Sequence, residues 1–176
     1  MHVERFRTRT APAGMLDAVR ALMDRAFGDE FSDDDWDNAL GGWHVVASDG
    51  EYLIAHAAVV PRRILVGDTW FDAGYVEAMA TDPDRQGEGF GTAVLEEVSE
   101  LLRTEYQLGV LSTGDPGFYE QAGWVRWQGP SFVIDAGERR RTLEEDDGIV
   151  VLPFGESSAI DPTERIACEA RSGDDW

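Results

Sequence analysis

The sequence predicts one α/β (α+β) domain, and three observations carry that expectation. Strand-patterned segments follow one another across two-residue turns, a glycine loop leads straight into a long amphipathic helix, and short apolar strands return after it. At 176 residues the chain has the usual size of one domain and can bury a core without staples, so 1–176 reads as a single unit. Residues 3–9 alternate as a strand. Pro12, suited to a first helical turn, opens a helix with apolar residues at Met15, Leu16, Val19, Leu22, Met23 and Phe27. Ser32 and Asp35 make a capping box with Asp in place of Glu, starting a short helix that Gly41-Gly42 stops. Segments 43–48 and 52–60 flank Asp49-Gly50, a dipeptide that favours a type I′ hairpin. Residues 63–66 extend the apolar pattern, Gly67-Asp68 offers a second turn, and 70–80 makes another long strand. The result is a four-stranded antiparallel meander.

From 89 to 106 the period becomes helical, with Phe90, Ala93, Val94, Val98, Leu101 and Leu102 on one stripe. Residues 108–113 form a short buried-type strand and 116–122 a helix that Gly123 caps. Segments 124–127, 131–135 and 149–152 read as strands, and the charged stretch 136–148 between the last two as a loop.

Composition excludes several function classes. No apolar run approaches the ~20 residues that span a bilayer, and residues 1–9 lack the apolar stretch of a secretory signal, so a soluble cytoplasmic protein is expected. Cys168 is the only cysteine, and His2, His44 and His56 show no metal-ligand spacing, so no metal is expected. Thirty-five acids against fifteen arginines give a net charge of −20, which repels phosphate backbones and argues against nucleic acid. Such an excess first means solubility, and second a field that attracts polycations. Its placement is uneven: residues 29–37 and 144–147 are acid-rich, and Asp174 and Asp175 stand beside Trp176.

The strand ending near Thr81 leads through Asp82-Pro83-Asp84-Arg85-Gln86-Gly87-Glu88-Gly89-Phe90-Gly91-Thr92 into the amphipathic helix. Glycines at 87, 89 and 91 let the backbone turn tightly and bring N–H groups to an anion, while the helix start adds its positive dipole end. A helix entry that needs glycine only for turning is the plain alternative. The loop lacks the Lys-Ser/Thr of a P-loop, and it follows a meander instead of a first strand, which disfavours nucleotide-hydrolase and nicotinamide readings.

Gln86-x-x-Gly89-x-Gly91 resembles the Gln/Arg-x-x-Gly-x-Gly/Ala signature of the GCN5-related N-acetyltransferases (GNAT). Further segments resemble the aminoglycoside 2′-N-acetyltransferases within that group: Asp35-Trp36 before Leu40-Gly41-Gly42, Ile54-Ala55-His56-Ala57-Ala58-Val59, Gly74-Tyr75-Val76-Glu77, Tyr106-Gln107-Leu108-Gly109 and Gly173-Asp174-Asp175-Trp176. The resemblance implies a GNAT fold: a mixed, mostly antiparallel twisted sheet of about seven strands, flanked by helices and splayed at the acetyl-coenzyme A site. It also implies acetyl-coenzyme A as cosubstrate, a cationic aminoglycoside as acceptor, antibiotic resistance as consequence, and a homodimer.

By the same resemblance, Arg85, Gln86, Gly87, Glu88, Gly89, Phe90, Gly91 and Thr92 bind the coenzyme, with Arg85 as a charge partner. Amine acetylation needs a base for the ammonium, a donor for the thioester carbonyl and a stabiliser for the departing thiolate. Glu77 is the expected base, directly or through water. Met79 is expected to offer a backbone N–H beside a β-bulge, and Tyr119 to be the general acid. Ala78 stands where the family's bulge carries glycine. Acceptor binding is carried onto Asp35, Glu77, Ala78, Ser112, Asp146 or Asp147, Asp174 and Trp176, the last partly through a terminal carboxylate. Two alternatives remain: the same chemistry on another amine (an aminosugar, polyamine or peptide), or a non-catalytic acyl-coenzyme A sensor, which would need neither Glu77 nor Tyr119.

Overall fold

Apolar alternation in the first sixty residues builds a layered unit before the glycine loop is reached. The computed structural model describes residues 1–176, and two compact units emerge: Met1–Val60 with Val76–Glu100, and Pro61–Tyr75 with Leu101–Trp176.

In the first unit, β1 (His2–Arg7) pairs antiparallel with β2 (Trp43–Asp49), and β2 with the first part of β3 (Tyr52–Val66). Helix α1 (Met15–Phe27) buries Val19, Leu22 and Met23 against Phe6, Val46 and Ala80. Each such side chain contributes roughly 1.5–3 kcal/mol on burial. The helix begins later than expected. Pro12 lies one turn ahead, where its carbonyl takes the Met15 N–H at 3.0 Å, and Gly14 at φ +75° makes the entry. Helix α2 (Asp33–Ala39) carries the expected capping box: Ser32 Oγ accepts from the Asp35 N–H at 3.1 Å, and Asp35 Oδ2 accepts from the Ser32 N–H at 2.8 Å. Asp49 pairs with Tyr52, so the β2–β3 loop is Gly50-Glu51, and only Gly50 has positive φ. A type I′ turn needs two such residues, so this hairpin departs from the expected type, and the register shift at Ala47/Ser48 is what brings Asp49 opposite Tyr52 instead of Leu53.

The second unit holds the hairpin between β3 and β4 (Thr69–Thr81), followed by β5 (Leu108–Ser112), α4 (Pro116–Glu120) and β6 (Val125–Arg126). It continues with β7 (Ser131–Asp135), β8 (Glu138–Arg141), β9 (Ile149–Pro153) and β10 (Ile166–Glu169). Pairs β4–β5 and β10–β7 are parallel, whereas β5–β9, β6–β9, β7–β8 and β10–β3 are antiparallel. The β4–β5 register runs from Ala73–Leu108 to Tyr75–Val110, while β4 itself continues to Thr81. Helix α3 (Phe90–Glu105) buries Phe90, Val94, Leu95, Val98, Leu101 and Leu102 on one stripe.

Ten strands replace the expected seven or so. The stretch 136–148 is not simply a loop, because β8 lies within it, joined to β7 by Ala136-Gly137 at φ +48° and +88°. Its Glu-Arg-Arg-Arg composition hid it, since a strand at the end of the sheet order needs no apolar face and charge protects it from further pairing. Strand β10 is an addition to the strands expected from the sequence.

Candidate active site

In the first unit, β4 loses its alternation at Glu77, Ala78 and Met79, three successive half-buried residues between buried Val76 and buried Ala80. Ala78 sits among them at φ +49°, a left-handed conformation that a regular strand does not contain. This is the geometry of a bulge: it re-aims the flanking carboxylate and amide relative to a straight strand. The Ala78 carbonyl accepts from His56 Nδ1 at 2.9 Å.

Beyond β4, Asp82 anchors the loop entrance. Its N–H donates to the Ile54 carbonyl at 2.7 Å, Oδ1 accepts the Asp84 N–H at 3.1 Å, and Oδ2 accepts Arg25 Nε at 3.1 Å. Gly87 and Gly89 hold φ +80° and +87°, a region other residues enter only with strain, and a Cβ at either would meet nothing within 4 Å. The loop therefore presents an open backbone face at the start of α3, with Gln86, Glu88 and Thr92 exposed, Gly91 partly covered and Phe90 turned into the core. Such a face fits a diphosphate. Arg85 is already engaged: it meets Glu88 at 2.8 Å and Asp49 at 3.1 Å, lies over Phe90, and its pKa is raised by those carboxylates, Glu88 foremost. Asp35 is likewise occupied as the cap of α2.

In the second unit, Tyr119 on α4 is buried, with its ring edge-on to Phe118 and Trp124. Burial first, and then the charge of Asp115, push its phenol up to about 12, against a hydrogen bond with Thr113 that lowers it. It is therefore protonated across ordinary pH. Relative to a thiol near pKa ~8.5, complete proton transfer is uphill by about 5 kcal/mol, so Tyr119 is suited to donate a hydrogen bond to a thiolate without giving up its proton.

The two aspartates left open by the sequence part company here. Asp146 pairs with Arg141, and its Oδ1 accepts the Ser131 N–H at 3.0 Å and Oγ–H at 2.8 Å. Arg141 first, then Ser131, hold its pKa down to about 2. Asp147 is exposed. Glu145, which the sequence reading passed over within its acidic run, receives the Ser112 hydroxyl at 2.7 Å. Its pKa is raised, by burial first and then by Asp174, Glu144 and Asp175 against the Ser112 bond. An acidic cluster around Ser112 follows, and only the strand register and the short 3-10 turn Leu143–Glu145 create it. Asp174 is exposed, whereas Trp176 is buried with Nε1 donating to Thr142 Oγ1 at 3.2 Å. Asp175 pins the segment through Arg140 at 2.6 Å and through its carbonyl, which accepts Arg62 at 2.7 Å.

A bulged strand, a glycine loop and a following helix are the parts of an acyl-coenzyme A site, and a family model described as an acetyltransferase (GNAT) domain matches residues 7–126. The chain belongs to the GNAT acetyltransferases. More specifically, it is 45% identical over 164 residues to the aminoglycoside 2′-N-acetyltransferase of Mycolicibacterium fortuitum, covering 91% of this chain and 84% of that one. Solved structures agree on the fold. The GNAT family N-acetyltransferase YhbS from Escherichia coli, in complex with CoA, is 17% identical with a TM-score of 0.67 over 95% of this chain and 88% of that one. A GNAT family acetyltransferase from Brucella melitensis, in complex with acetyl-CoA, is 19% identical with a TM-score of 0.62 over 94% and 95%. Some similar structures belong to longer proteins, of which this chain spans 32% and 35%.

Proposed function

We propose that residues 1–176 act as one acetyltransferase domain that moves acetyl from acetyl-coenzyme A to the 2′-amine of an aminoglycoside. The observation that carries this reading is the bulge at Ala78 between Glu77 and Met79, eight residues before the open glycine loop 86–92. Strands β3 and β4 and helix α3 each contribute residues to both units, which supports treating them as one functional domain.

The loop amides of residues 86–92 hold the diphosphate, and the Met79 N–H hydrogen-bonds the acyl oxygen. The bound cosubstrate supplies the acetyl group as an activated thioester. Glu77, directly or through a water, takes one proton from the substrate ammonium so that the free amine attacks. The second proton, which the nitrogen sheds as the C–S bond breaks and the amide forms, goes to the departing thiolate or to solvent. Tyr119 hydrogen-bonds the departing sulfur and keeps its own proton. Arg85, with its charge met by Glu88 and Asp49, stiffens the loop and contributes less net charge to the diphosphate than a lone guanidinium would. Ser112, Glu145, Asp147 and Asp174 supply hydrogen-bond acceptors and negative charge for a polycationic acceptor. Asp146 and Trp176 support that surface through the ion pair and the Thr142 bond, while Asp35 caps its own helix.

The product loses one positive charge, which weakens its hold on ribosomal RNA and gives resistance. A net charge of −20, and the fact that no helix is long and apolar enough to cross a membrane, support a cytoplasmic enzyme with a small-molecule partner and neither nucleic acid nor membrane. A homodimer is carried over from the family. The test is to supply acetyl-coenzyme A with two aminoglycosides that differ only in a 2′-amine or a 2′-hydroxyl, and to follow free thiol. Release with the amine alone is expected, and equal rates would reject the regiochemistry.

A further inference from the structure

Ala78 occupies a backbone region that glycine enters freely and alanine does not, so the surrounding structure must hold it there. Its carbonyl is met by His56 Nδ1 at 2.9 Å, His56 Nε2 by His44 Nδ1 at 2.9 Å, and His44 Nε2 by Thr8 Oγ1 at 2.8 Å. Thr8 Oγ1 in turn accepts the Gly41 N–H at 3.0 Å. Both imidazoles are completely buried, and His44 stacks on Phe6 at 5.3 Å.

The strand register makes the pair. His44 lies opposite Ala58, so His56, two residues back along β3, is its diagonal neighbour on the same face.

Proton inventory fixes the direction of every bond. A carbonyl only accepts, so His56 Nδ1 carries the proton, and its neutral ring then offers Nε2 as an acceptor. His44 Nδ1 must therefore donate, His44 Nε2 must accept, and the single Thr8 hydroxyl proton goes to it. The Gly42 carbonyl, at 3.4 Å from Thr8 Oγ1, is the weaker claimant on that proton. Burial lowers His44 to about 4 and His56 to about 3, so both rings are neutral near pH 7 and the chain has one consistent orientation. A proton added to His56 Nε2 would face the His44 Nδ1–H, so this orientation belongs to the neutral His56 ring.

We propose that Thr8, His44 and His56 are positioning residues, a directed relay that clamps the Ala78 carbonyl and thereby aims Glu77 and the Met79 N–H. This rests on the roles given to Glu77 and Met79 above. None of the three relay residues touches the reacting atoms; they act through the backbone of residue 78.

The test pairs kinetics with a readout independent of activity. Imidazole nitrogen NMR of the unliganded protein at pH 7 is expected to show His44 and His56 both as Nδ1–H tautomers, and a protonated Nε2 on His56 would overturn the relay. His56→Leu is expected to lower kcat about tenfold or more while acetyl-coenzyme A binding by calorimetry stays within about twofold, because loop 86–92 lies outside the relay. Glycine accepts φ +49° without strain, so adding Ala78→Gly to His56→Leu is expected to restore kcat at least about threefold over His56→Leu. A purely structural histidine predicts no such recovery, and its absence overturns the proposal. Where His56→Leu does not fold, Thr8→Val removes the far donor at nearly constant volume. It is then expected to shift the His56 imidazole signals and lower kcat, and silence in both overturns the relay. If wild-type protein acetylates no amine, the functional reading fails on its own. The tautomers, together with the Met79 amide shift in the His56 variant, then decide whether the relay sets the bulge.

Discussion

Acidification should weaken this fold through two side chains more steeply than its acidic composition suggests. Folding lowers His44 from 6.5 to about 4 and His56 from 6.5 to about 3, chiefly by burial. An imidazole whose pKa falls on folding takes up its proton first in the unfolded chain. The native state therefore keeps its full advantage above pH 6.5 and loses it as pH falls toward 4. At about 1.4 kcal/mol per unit, each histidine surrenders just under 2 kcal/mol between pH 7 and pH 5, and the two together about 4 kcal/mol as an order of magnitude. With a urea slope of about 2 kcal/mol/M, the unfolding midpoint should drop by about 2 M over that interval. Urea titrations at half-unit pH steps, followed by tryptophan fluorescence, measure it. His56→Asn should remove about half of the pH dependence. Equal slopes in wild type and His56→Asn would refute the reasoning, because the remaining slope would then belong to the carboxylates alone.

Glu77→Gln should slow turnover by about 10²-fold or more, measured by thiol release, and an unchanged rate would remove Glu77 from the mechanism. Tyr119→Phe should reduce kcat by about tenfold with little change in acetyl-coenzyme A affinity. The wild type should show no loss of rate up to pH 9 traceable to the phenol, since it titrates at about 12. Glu145→Gln should raise the acceptor KM several-fold without lowering the melting temperature. Asp146→Asn should instead destabilise by about 1 kcal/mol through the Arg141 pair and affect the acceptor KM less. Steady-state kinetics and thermal melts on the two variants separate the roles, and interchanged outcomes would reassign them.

The local grammar of the chain was enough to predict the meander, the long helix, the glycine loop and the capping box of α2. Each of these depends on side chains within a few residues of one another, so spacing alone reports it. The GNAT signature Gln86-x-x-Gly89-x-Gly91 belongs to the same kind of information. Tertiary structure alone decided which acids face one another. Asp146 and Glu145 are chain neighbours, yet one is committed to Arg141 and Ser131 and the other receives Ser112. Likewise His44 and His56 looked scattered until a strand register set them diagonally on one face. Strand β8 was invisible because charge on an edge carries no period. Local pattern encodes elements, whereas partner choice depends on closing long chain loops, and that is settled only when the whole sheet assembles.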